Sequence, residues 1–282
     1  MVQKKVAAIH DISGFGKCSL TVALPIISAA GIEVSAIPTA VLSTHTGGFT
    51  GFTYRDLTED MTPFAEHWKS LNLHFDAIYS GFLGSFEQID IVSNIFDMLK
   101  TDDTLIMVDP CMADNGKLYT VYDESMALGM TKLCAKADII IPNLTEAAFM
   151  LKEPYVEGPY TKEYIENILK NLALLGCKKI VLTGVYFDNK FLGAASYDSD
   201  TKKITCSFNK LVEGSFHGTG DVFASTLLSG LMNGFSLADS TQIAVDFTYN
   251  SIRSTKLAKT DRRFGVNFEN NIPGLLKSLR LI

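Results

Sequence analysis

Phe216-His217-Gly218-Thr219-Gly220-Asp221 is the most informative segment of this chain, because it runs directly into an apolar helix pattern: Val222, Phe223, Ala224, Leu227, Leu228 and Leu231. Its glycines let the backbone approach a ligand closely, and their N–H groups add to the positive end of the helix dipole. Such a turn is typical of a phosphate site. Asp221 would repel that anion unless it accepts a proton from an attacking hydroxyl. The alternative is a glycine turn in which Asp221 only starts the helix.

Apolar segments and segments of helical period alternate through the preceding chain. The predicted strands are Lys5–Ile9, Glu33–Val41, Ala77–Ser80, Thr104–Val108, Ile139–Ile141 and Lys179–Thr183. The predicted helices between them are Ser19–Ala30, Pro63–Leu73, Phe86–Lys100, Glu124–Ala135, Thr145–Lys152 and Lys162–Leu175. This alternation indicates βαβ units and a parallel sheet covered on both faces.

The pattern changes after Thr183. Two strands, Phe191–Ser196 and Lys203–Phe208, predict an antiparallel hairpin, and two long helices follow at about 220–233 and 237–255. No linker, repeat or low-complexity segment divides the chain. The sequence therefore predicts one α/β domain over residues 1–282.

Composition excludes several partner classes. The chain has 282 residues, 47% of them hydrophobic, and a net charge of −6 without a Lys/Arg cluster, which argues against nucleic acid and anionic membranes. Five cysteines without a CxxC pair fit a reducing compartment. No apolar run reaches the ~18 residues of a membrane span, and the N-terminal apolar run is too short for a signal peptide. We therefore expect a cytoplasmic protein.

Polar and glycine-rich segments follow the predicted strands, where ligands bind in an open α/β sheet. They are His10-Asp11, Ser43–Gly48, Ser80–Gly84, Asp109-Pro110, Pro142–Glu146 and Thr183-Gly184. Because these loops share one edge of the sheet, we expect several of them to meet in a single cleft. That convergence favours the phosphate-site interpretation of the 216–221 segment.

Two acidic positions have a structural and a functional interpretation each. Asn143 and Glu146 stand three apart at a helix start, which suits a capping box; alternatively, they organise water around Mg²⁺. Asp109 closes a buried strand, where an unpaired acid is costly, so we favour a cation-site role over turn chemistry. Cys111 beside it is interpreted as a small loop residue rather than a nucleophile.

Two nucleotide-binding motifs are incomplete. Lys17 follows Gly14-Phe15-Gly16 without the spacer and hydroxyl residue of a Walker A loop. Phe223 occupies the last glycine position of a dinucleotide fingerprint that would begin at Gly218. A nicotinamide oxidoreductase is therefore only a distant alternative.

Taken together, the motifs resemble a known family. Gly218–Asp221 is similar to the signature of the ribokinase-like small-molecule kinases, and four further motifs narrow the resemblance to the pyridoxal kinase branch: Ser43–Gly47, Ser80–Gly84, Asp109-Pro110 and Pro142–Glu146. The resemblance runs from His10 to about Ile252 in consistent order. Each motif is weak alone, and the ordered set is specific.

The resemblance implies a three-layer sandwich with a mostly parallel central sheet, a homodimer, and use of ATP and Mg²⁺. It leaves open whether a monovalent cation such as K⁺ assists. The implied reaction is phosphorylation of the 5′-hydroxymethyl group of pyridoxal, pyridoxine or pyridoxamine. The segment Cys111–Asp123 is expected to close over ATP and exclude water.

The resemblance also assigns roles to individual residues. Asp221 would be the general base, and Gly218, Thr219 and Gly220 would form the anion hole. The metal and triphosphate would be organised by Asp109, Asn143 and Glu146, with Thr183 and Gly184 along the nucleotide. The pyridine pocket would be lined by His45, Thr46 and Phe82, together with Asp11 or Ser13.

The chain departs from the family pattern in three places. Asp11 lies near the end of the first strand, where serine is usual, which suggests a preference for pyridoxamine. Ile141 precedes Pro142 where threonine is common, and His217 before the glycines is unexpected. The rival functions are a hydroxymethylpyrimidine kinase, since that substrate is also a flat heteroaromatic alcohol, and a catalytically silent vitamer-binding protein.

Overall fold

The computed structural model describes residues 3–120 and 122–282. The strands are β1 (Lys5–Ser13), β2 (Glu33–Leu42), β3 (Tyr54–Asp56), β4 (Ala77–Ser80), β5 (Leu105–Val108), β6 (Ala113–Asp114), β7 (Lys117–Leu118), β8 (Ile139–Ile140), β9 (Lys179–Val185), β10 (Phe191–Asp198) and β11 (Lys203–Lys210). The helices are α1 (Leu20–Ala29), α2 (Thr58–Ser70), α3 (Phe86–Leu99), α4 (Glu124–Ala135), α5 (Leu144–Leu151), α6 (Lys162–Ala173), α7 (Thr219–Met232), α8 (Leu237–Ala258) and α9 (Ile272–Ser278). Short 3₁₀ turns lie at Arg262–Phe264 and Glu269–Asn271.

The central sheet has the strand order β11-β10-β9-β8-β5-β4-β1-β2-β3. The strands from β2 to β9 in this order pair in parallel, as predicted from the βαβ alternation. β10 and β11 form the predicted antiparallel hairpin, and β10 pairs antiparallel with β9. The α/β class with a mostly parallel sheet is therefore confirmed.

Helices cover both faces of the sheet, which gives the three-layer sandwich. One apolar core contains Ile9, Val108 and Leu182 from the strands and side chains from α2 to α6. The second contains Val6 and Tyr79 from the strands and side chains from α1, α7, α8 and α9. Burial on both faces explains why the central strands are continuously apolar rather than alternating.

The boundaries of β1 and α2 differ from the prediction. β1 continues to Ser13, so Asp11 lies within the strand, at an irregularity in its pairing with β2, and not in a loop. α2 begins at Thr58 rather than at Pro63, because the Asp56 carboxylate accepts the Thr58 N–H at 2.7 Å and supports an earlier first turn. Proline is common at the first position of a helix, which is why the sequence predicts a start at Pro63, whereas Pro63 lies inside α2.

Several short elements were not predicted: the edge strand β3, the β6–β7 hairpin and α9. The β6–β7 hairpin lies within Cys111–Asp123, the segment expected to close over ATP. Residue 121 of that segment lies outside the described residues, and the closure itself stays a prediction. Within the ranges 3–120 and 122–282, no helix combines the length and the apolar character needed to cross a lipid bilayer.

Candidate active site

The N-terminus of α7 forms the turn that the sequence predicted as an anion hole. Gly218 caps the helix with φ 74°, in the left-handed region, and a Cβ there would overlap the carbonyl oxygen of Lys17. The first helical hydrogen bond runs from the Val222 N–H to the Gly218 carbonyl at 3.1 Å. The N–H groups of residues 219–221 therefore have no partner within the helix. Only glycine suits this position, because both the φ angle and the close backbone exclude a side chain.

Asp221 lies in the first turn of α7 and is half-buried. Desolvation by the surrounding protein raises its pKa to about 7, and the charge of Asp11 adds to that effect. The nearby backbone N–H of Ser19 acts in the opposite direction. A carboxyl with a pKa near neutrality is suited to accept a proton at physiological pH.

Asp109 lies near both Glu146 and Asp221, although the three come from distant parts of the chain. A Cβ on Gly220 would lie 3.9 Å from Asp109 Oδ2, so the residue that follows β5 lies beside the start of α7. Burial raises the pKa of Asp109 well above its usual range, and the charges of Glu146 and Asp221 raise it further. Burial likewise raises the pKa of Glu146 to about 7. The predicted convergence of strand-end carboxylates is therefore present.

Asp11 is 5% exposed and both of its oxygens accept hydrogen bonds. Ser13 Oγ donates to Oδ2 at 3.0 Å, and Ser19 Oγ donates to Oδ1 at 2.6 Å. Asp11 thereby ties the end of β1 to the start of α1, which carries the backbone N–H beside Asp221. The suggested link between Asp11 and a substrate amine stays a prediction.

Two residues beside these carboxylates have a positive φ angle. Ser19 has φ 50° and Cys111 has φ 40°, a region that residues other than glycine rarely adopt. Ser19 adjoins Asp221 and Asp11, and Cys111 follows Asp109 by two positions. Strained residues of this kind persist where the surrounding structure over-determines them, and they cluster at functional sites.

Asn143 and Glu146 form a capping box, which was the structural alternative for this pair in the sequence. Asn143 Oδ1 accepts the Glu146 N–H at 2.9 Å, and Glu146 Oε2 accepts the Asn143 N–H at 2.8 Å. The other oxygen of Glu146 accepts the Met112 N–H at 2.9 Å, and Asn143 Nδ2 donates to the Ala113 carbonyl at 2.8 Å. The box therefore fixes both the start of α5 and the segment after Asp109.

The nucleotide side of the predicted site begins beside this box. Thr183 pairs with Asn143 in an isolated parallel bridge, and its N–H donates to the Pro142 carbonyl at 2.9 Å. Gly184 follows with φ 76° and has only a Leu144 methyl carbon, at 3.8 Å, near the position of a Cβ. This exposed, side-chain-free backbone is open to a flat ligand.

The predicted pyridine-pocket residues lie around the ends of β1, β2 and β4. His45 is buried and Thr46 is exposed on the loop after β2, Ser13 is buried at the end of β1, and Phe82 is half-buried after β4. The Phe82 ring meets Tyr122 edge-on at a centroid distance of 6.1 Å. Its remaining surface suits stacking on a heteroaromatic ring.

The structure adds residues that motif reasoning missed. Ser19, Arg263 and Phe264 contact predicted site residues or their loops, and Tyr79 lies beneath the carboxylates with its hydroxyl buried and without a hydrogen-bond partner. The charges of Asp109 and Asp221 contribute to a raised Tyr79 pKa. Ser19 follows the glycine-rich segment 14–16 closely enough to have been a candidate. Arg263 and Phe264 carry no sequence signal, because their relation to the site is purely spatial.

The carboxylates of Asp109, Glu146 and Asp221 suit a cation that binds together with a phosphate ligand. In the described part of the chain, no group of three or more His, Cys, Asp or Glu is arranged to hold a metal, and no Lys or Arg pairs with Asp109, Glu146 or Asp221. Mg²⁺ is usually held by one or two carboxylates together with substrate phosphates and water, rather than by an all-protein cage. The residues present therefore fit a magnesium nucleotide, whose cation would relieve the repulsion from Glu146 and Asp221 that adds to the effect of burial on the pKa of Asp109.

Comparison with known proteins identifies the family. The phosphomethylpyrimidine kinase family matches residues 27–266, which include the turn at 218–221, Asp109 and the capping box. The chain belongs to this family. It is therefore a kinase, and the predicted ribokinase-like architecture is confirmed by its relatives.

Three relatives of this kinase indicate the substrates that similar proteins bind or phosphorylate. The pyridoxal kinase PdxY of Haemophilus influenzae is 28% identical over 248 residues, covering 80% of each chain. A Bacteroides thetaiotaomicron protein assigned as a phosphomethylpyrimidine kinase, with a structure determined with pyridoxal, is 38% identical with a TM-score of 0.92 over 97% of this chain and 96% of its own. The pyridoxal kinase of Lactobacillus plantarum is 29% identical with a TM-score of 0.89, covering 98% of each chain.

Proposed function

We propose that this kinase transfers the γ-phosphoryl group of ATP to the 5′-hydroxymethyl group of a B6 vitamer. The observation that carries the proposal is the placement of the Asp221 carboxyl, with its pKa raised to about 7, in the first turn of the helix whose N-terminal amides form the anion hole. The relatives that are pyridoxal kinases, and the pyridoxal in one related structure, support the vitamer as acceptor.

In this proposal Asp221 accepts the proton of the substrate hydroxyl as its oxygen attacks phosphorus in line with the leaving group. The N–H groups of residues 219–221 face the transferring phosphoryl oxygens and stabilise their charge. Asp109 would hold Mg²⁺, with Asn143 and Glu146 fixing the segment that follows it. When bound, Mg²⁺ would supply positive charge that offsets the negative charge of the phosphates. Gly184 and Thr183 lie along the nucleotide.

Substrate turnover tests the proposal directly. We expect ADP release from Mg-ATP with at least one of pyridoxal, pyridoxine and pyridoxamine, measured in parallel with hydroxymethylpyrimidine, and no release after EDTA treatment until Mg²⁺ is restored. Repeating the assay with K⁺ or Na⁺ tests the monovalent cation. Turnover of hydroxymethylpyrimidine alone would assign the second candidate function, which the family name favours. A folded, ATP-binding protein that turns over none of them would contradict the proposal.

The pH dependence follows from the raised pKa of Asp221. The base acts when deprotonated, so activity rises with pH: with a pKa of about 7, roughly a tenth of the carboxyl is ionised at pH 6 and roughly nine tenths at pH 8. We expect kcat/KM to rise about tenfold over that interval. A profile that is flat between pH 6 and pH 8 would show that Asp221 does not limit proton transfer.

The homodimer and the cytoplasmic location stay predictions from the sequence. Sedimentation of the purified chain tests the first, because a dimer of this kinase would have twice the mass of 30.9 kDa. Fractionation of the source cells tests the second.

A further inference from the structure

The imidazole of His45 is fully engaged within the protein. Its Nε2 lies 2.6 Å from the main-chain carbonyl oxygen of Arg263, and its Nδ1 accepts the Gly47 N–H at 3.0 Å. A carbonyl can only accept, so Nε2 carries the proton and the ring is neutral. Burial lowers the pKa of His45, which favours the same neutral form. Neither ring nitrogen is left to bind a substrate.

The partner of His45 belongs to a short segment near the C-terminus, Arg262–Gly265, which we term the strap. The strap contacts loops from three other parts of the site. The Lys17 N–H donates to the Phe264 carbonyl at 3.1 Å, and the Arg262 guanidinium lies 5.1 Å from the centroid of Phe216, just before the anion-hole turn. The third contact is to the loop that carries His45.

That loop, residues 43–53, which we term the vitamer loop, packs closely against the strap. Arg263 lies 5.6 Å from the Phe49 ring centroid, and the Phe49 and Phe264 rings stack with centroids 6.3 Å apart and planes 6° from parallel. Gly48, with φ 81°, lies under the Arg263 side chain, whose nearest carbon would be 3.1 Å from a Cβ.

A second contact joins the vitamer loop to the anion-hole turn. Gly47 lies against the ring of His217, whose nearest atom would be 2.6 Å from a Cβ at that position. The rings of His45 and His217 are also neighbours, with centroids 5.1 Å apart. His217, the unexpected residue before Gly218, therefore lies between the vitamer loop and the helix that carries Asp221.

We propose that the strap holds the vitamer loop closed through His45, so that His45 is a positioning residue for the acceptor substrate and not a ligand of it. The inference deepens the proposed function, because the loop being held is the one that carries Thr46 of the predicted pyridine pocket. A loop that is already ordered loses less conformational entropy when the substrate binds. The strap thereby raises affinity for the acceptor without contributing to the transfer step.

Hydrogen exchange and steady-state kinetics of His45→Ala test this role together. We expect amide exchange in residues 43–53 to accelerate at least about tenfold, because the Gly47 amide and the strap both lose their partner, equivalent to ~1.4 kcal/mol of local stability. KM for the vitamer should rise by a similar factor, while kcat and KM for ATP stay within about twofold. His67→Ala, an exposed histidine on α2, is the matched control and should change neither measurement.

Two further variants separate positioning from direct binding. Phe264→Ala leaves both His45 hydrogen bonds in place but removes the ring that stacks on Phe49, so it should also accelerate exchange in 43–53 and raise KM for the vitamer. His45→Gln supplies an amide N–H toward the Arg263 carbonyl and should restore part of the exchange protection.

Unchanged exchange in the vitamer loop of His45→Ala would overturn the inference, whatever happens to KM. A raised KM without faster exchange would make His45 a substrate ligand instead. Failure of the proposed function looks different: the unaltered protein would phosphorylate no vitamer, while the exchange rates of the variants would still report whether the strap holds the loop.

Discussion

Asp221→Asn is expected to lower turnover by about 10²- to 10⁴-fold, the usual cost of removing a general base. The amide keeps the shape of the carboxyl but cannot take the proton of the attacking hydroxyl. KM values for ATP and for the acceptor should change little, because the anion-hole amides and the pocket are untouched. Steady-state ADP production, with binding of each substrate measured separately, checks the result.

The same variant should gain thermal stability at pH 8. Asp221 has a raised pKa of about 7 in the folded protein, against about 3.8 unfolded, so the folded state binds more protons between these values and its stability falls as pH rises through them. Asparagine carries no charge and removes that loss. We expect the melting temperature of Asp221→Asn to exceed that of the unaltered protein at pH 8 and to approach it near pH 4.

Asp60→Asn is the matched control for Asp221→Asn, since Asp60 also lies in the first turn of a helix, α2, but is exposed. It should leave turnover unchanged. Near-normal turnover of Asp221→Asn would remove Asp221 from the mechanism and return it to the helix-start interpretation.

Gly218→Ala is expected to reduce kcat by about 10²-fold or more, because the methyl group displaces the turn that presents the anion-hole amides. Two effects combine at this position. The φ angle of 74° is costly for alanine, and its Cβ would overlap the backbone carbonyl of Lys17, which cannot move as a side chain would. Turnover and melting temperature, measured on the same preparation, check both consequences.

Gly31→Ala separates the two effects. Gly31 has φ 80°, nearly that of Gly218, but has no atom within 4 Å of a Cβ. It should lose only the stability that a strained φ costs, ~1–2 kcal/mol, and keep its turnover. Equal losses of turnover in the two variants would show that backbone strain alone is responsible and that the anion-hole geometry is not.

Much of the fold could be predicted from the periodicity of hydrophobic residues alone. The strands Ala77–Ser80 and Lys179–Val185 are apolar because helices cover both faces of the sheet, and the alternation with helical segments predicted that the strands run parallel. The two largest boundary differences are the end of β1 and the start of α2. At these places Ser13 donates a hydrogen bond to the Asp11 carboxylate and the Thr58 N–H donates to that of Asp56, contacts that hydrophobic periodicity does not report.

The local parts of the site were determined by the sequence itself. Asn143 and Glu146 are three residues apart and complete a capping box, and Gly218 meets the left-handed turn that opens α7. Both features depend on backbone geometry within one turn of helix. The types of residue that are adjacent in sequence are therefore sufficient to specify them.

Only the tertiary structure decided which residues that are distant in sequence come into contact, and how those contacts change their pKa values and hydrogen bonds. Asp109 and Asp221 acquire raised pKa values because strand order and helix docking desolvate both carboxyls and place each near other acidic groups. His45 and Arg263 are 218 residues apart, and their hydrogen bond uses a main-chain oxygen that every residue possesses. Burial and backbone contacts of this kind are properties of the packed chain, and no local pattern of side chains encodes them.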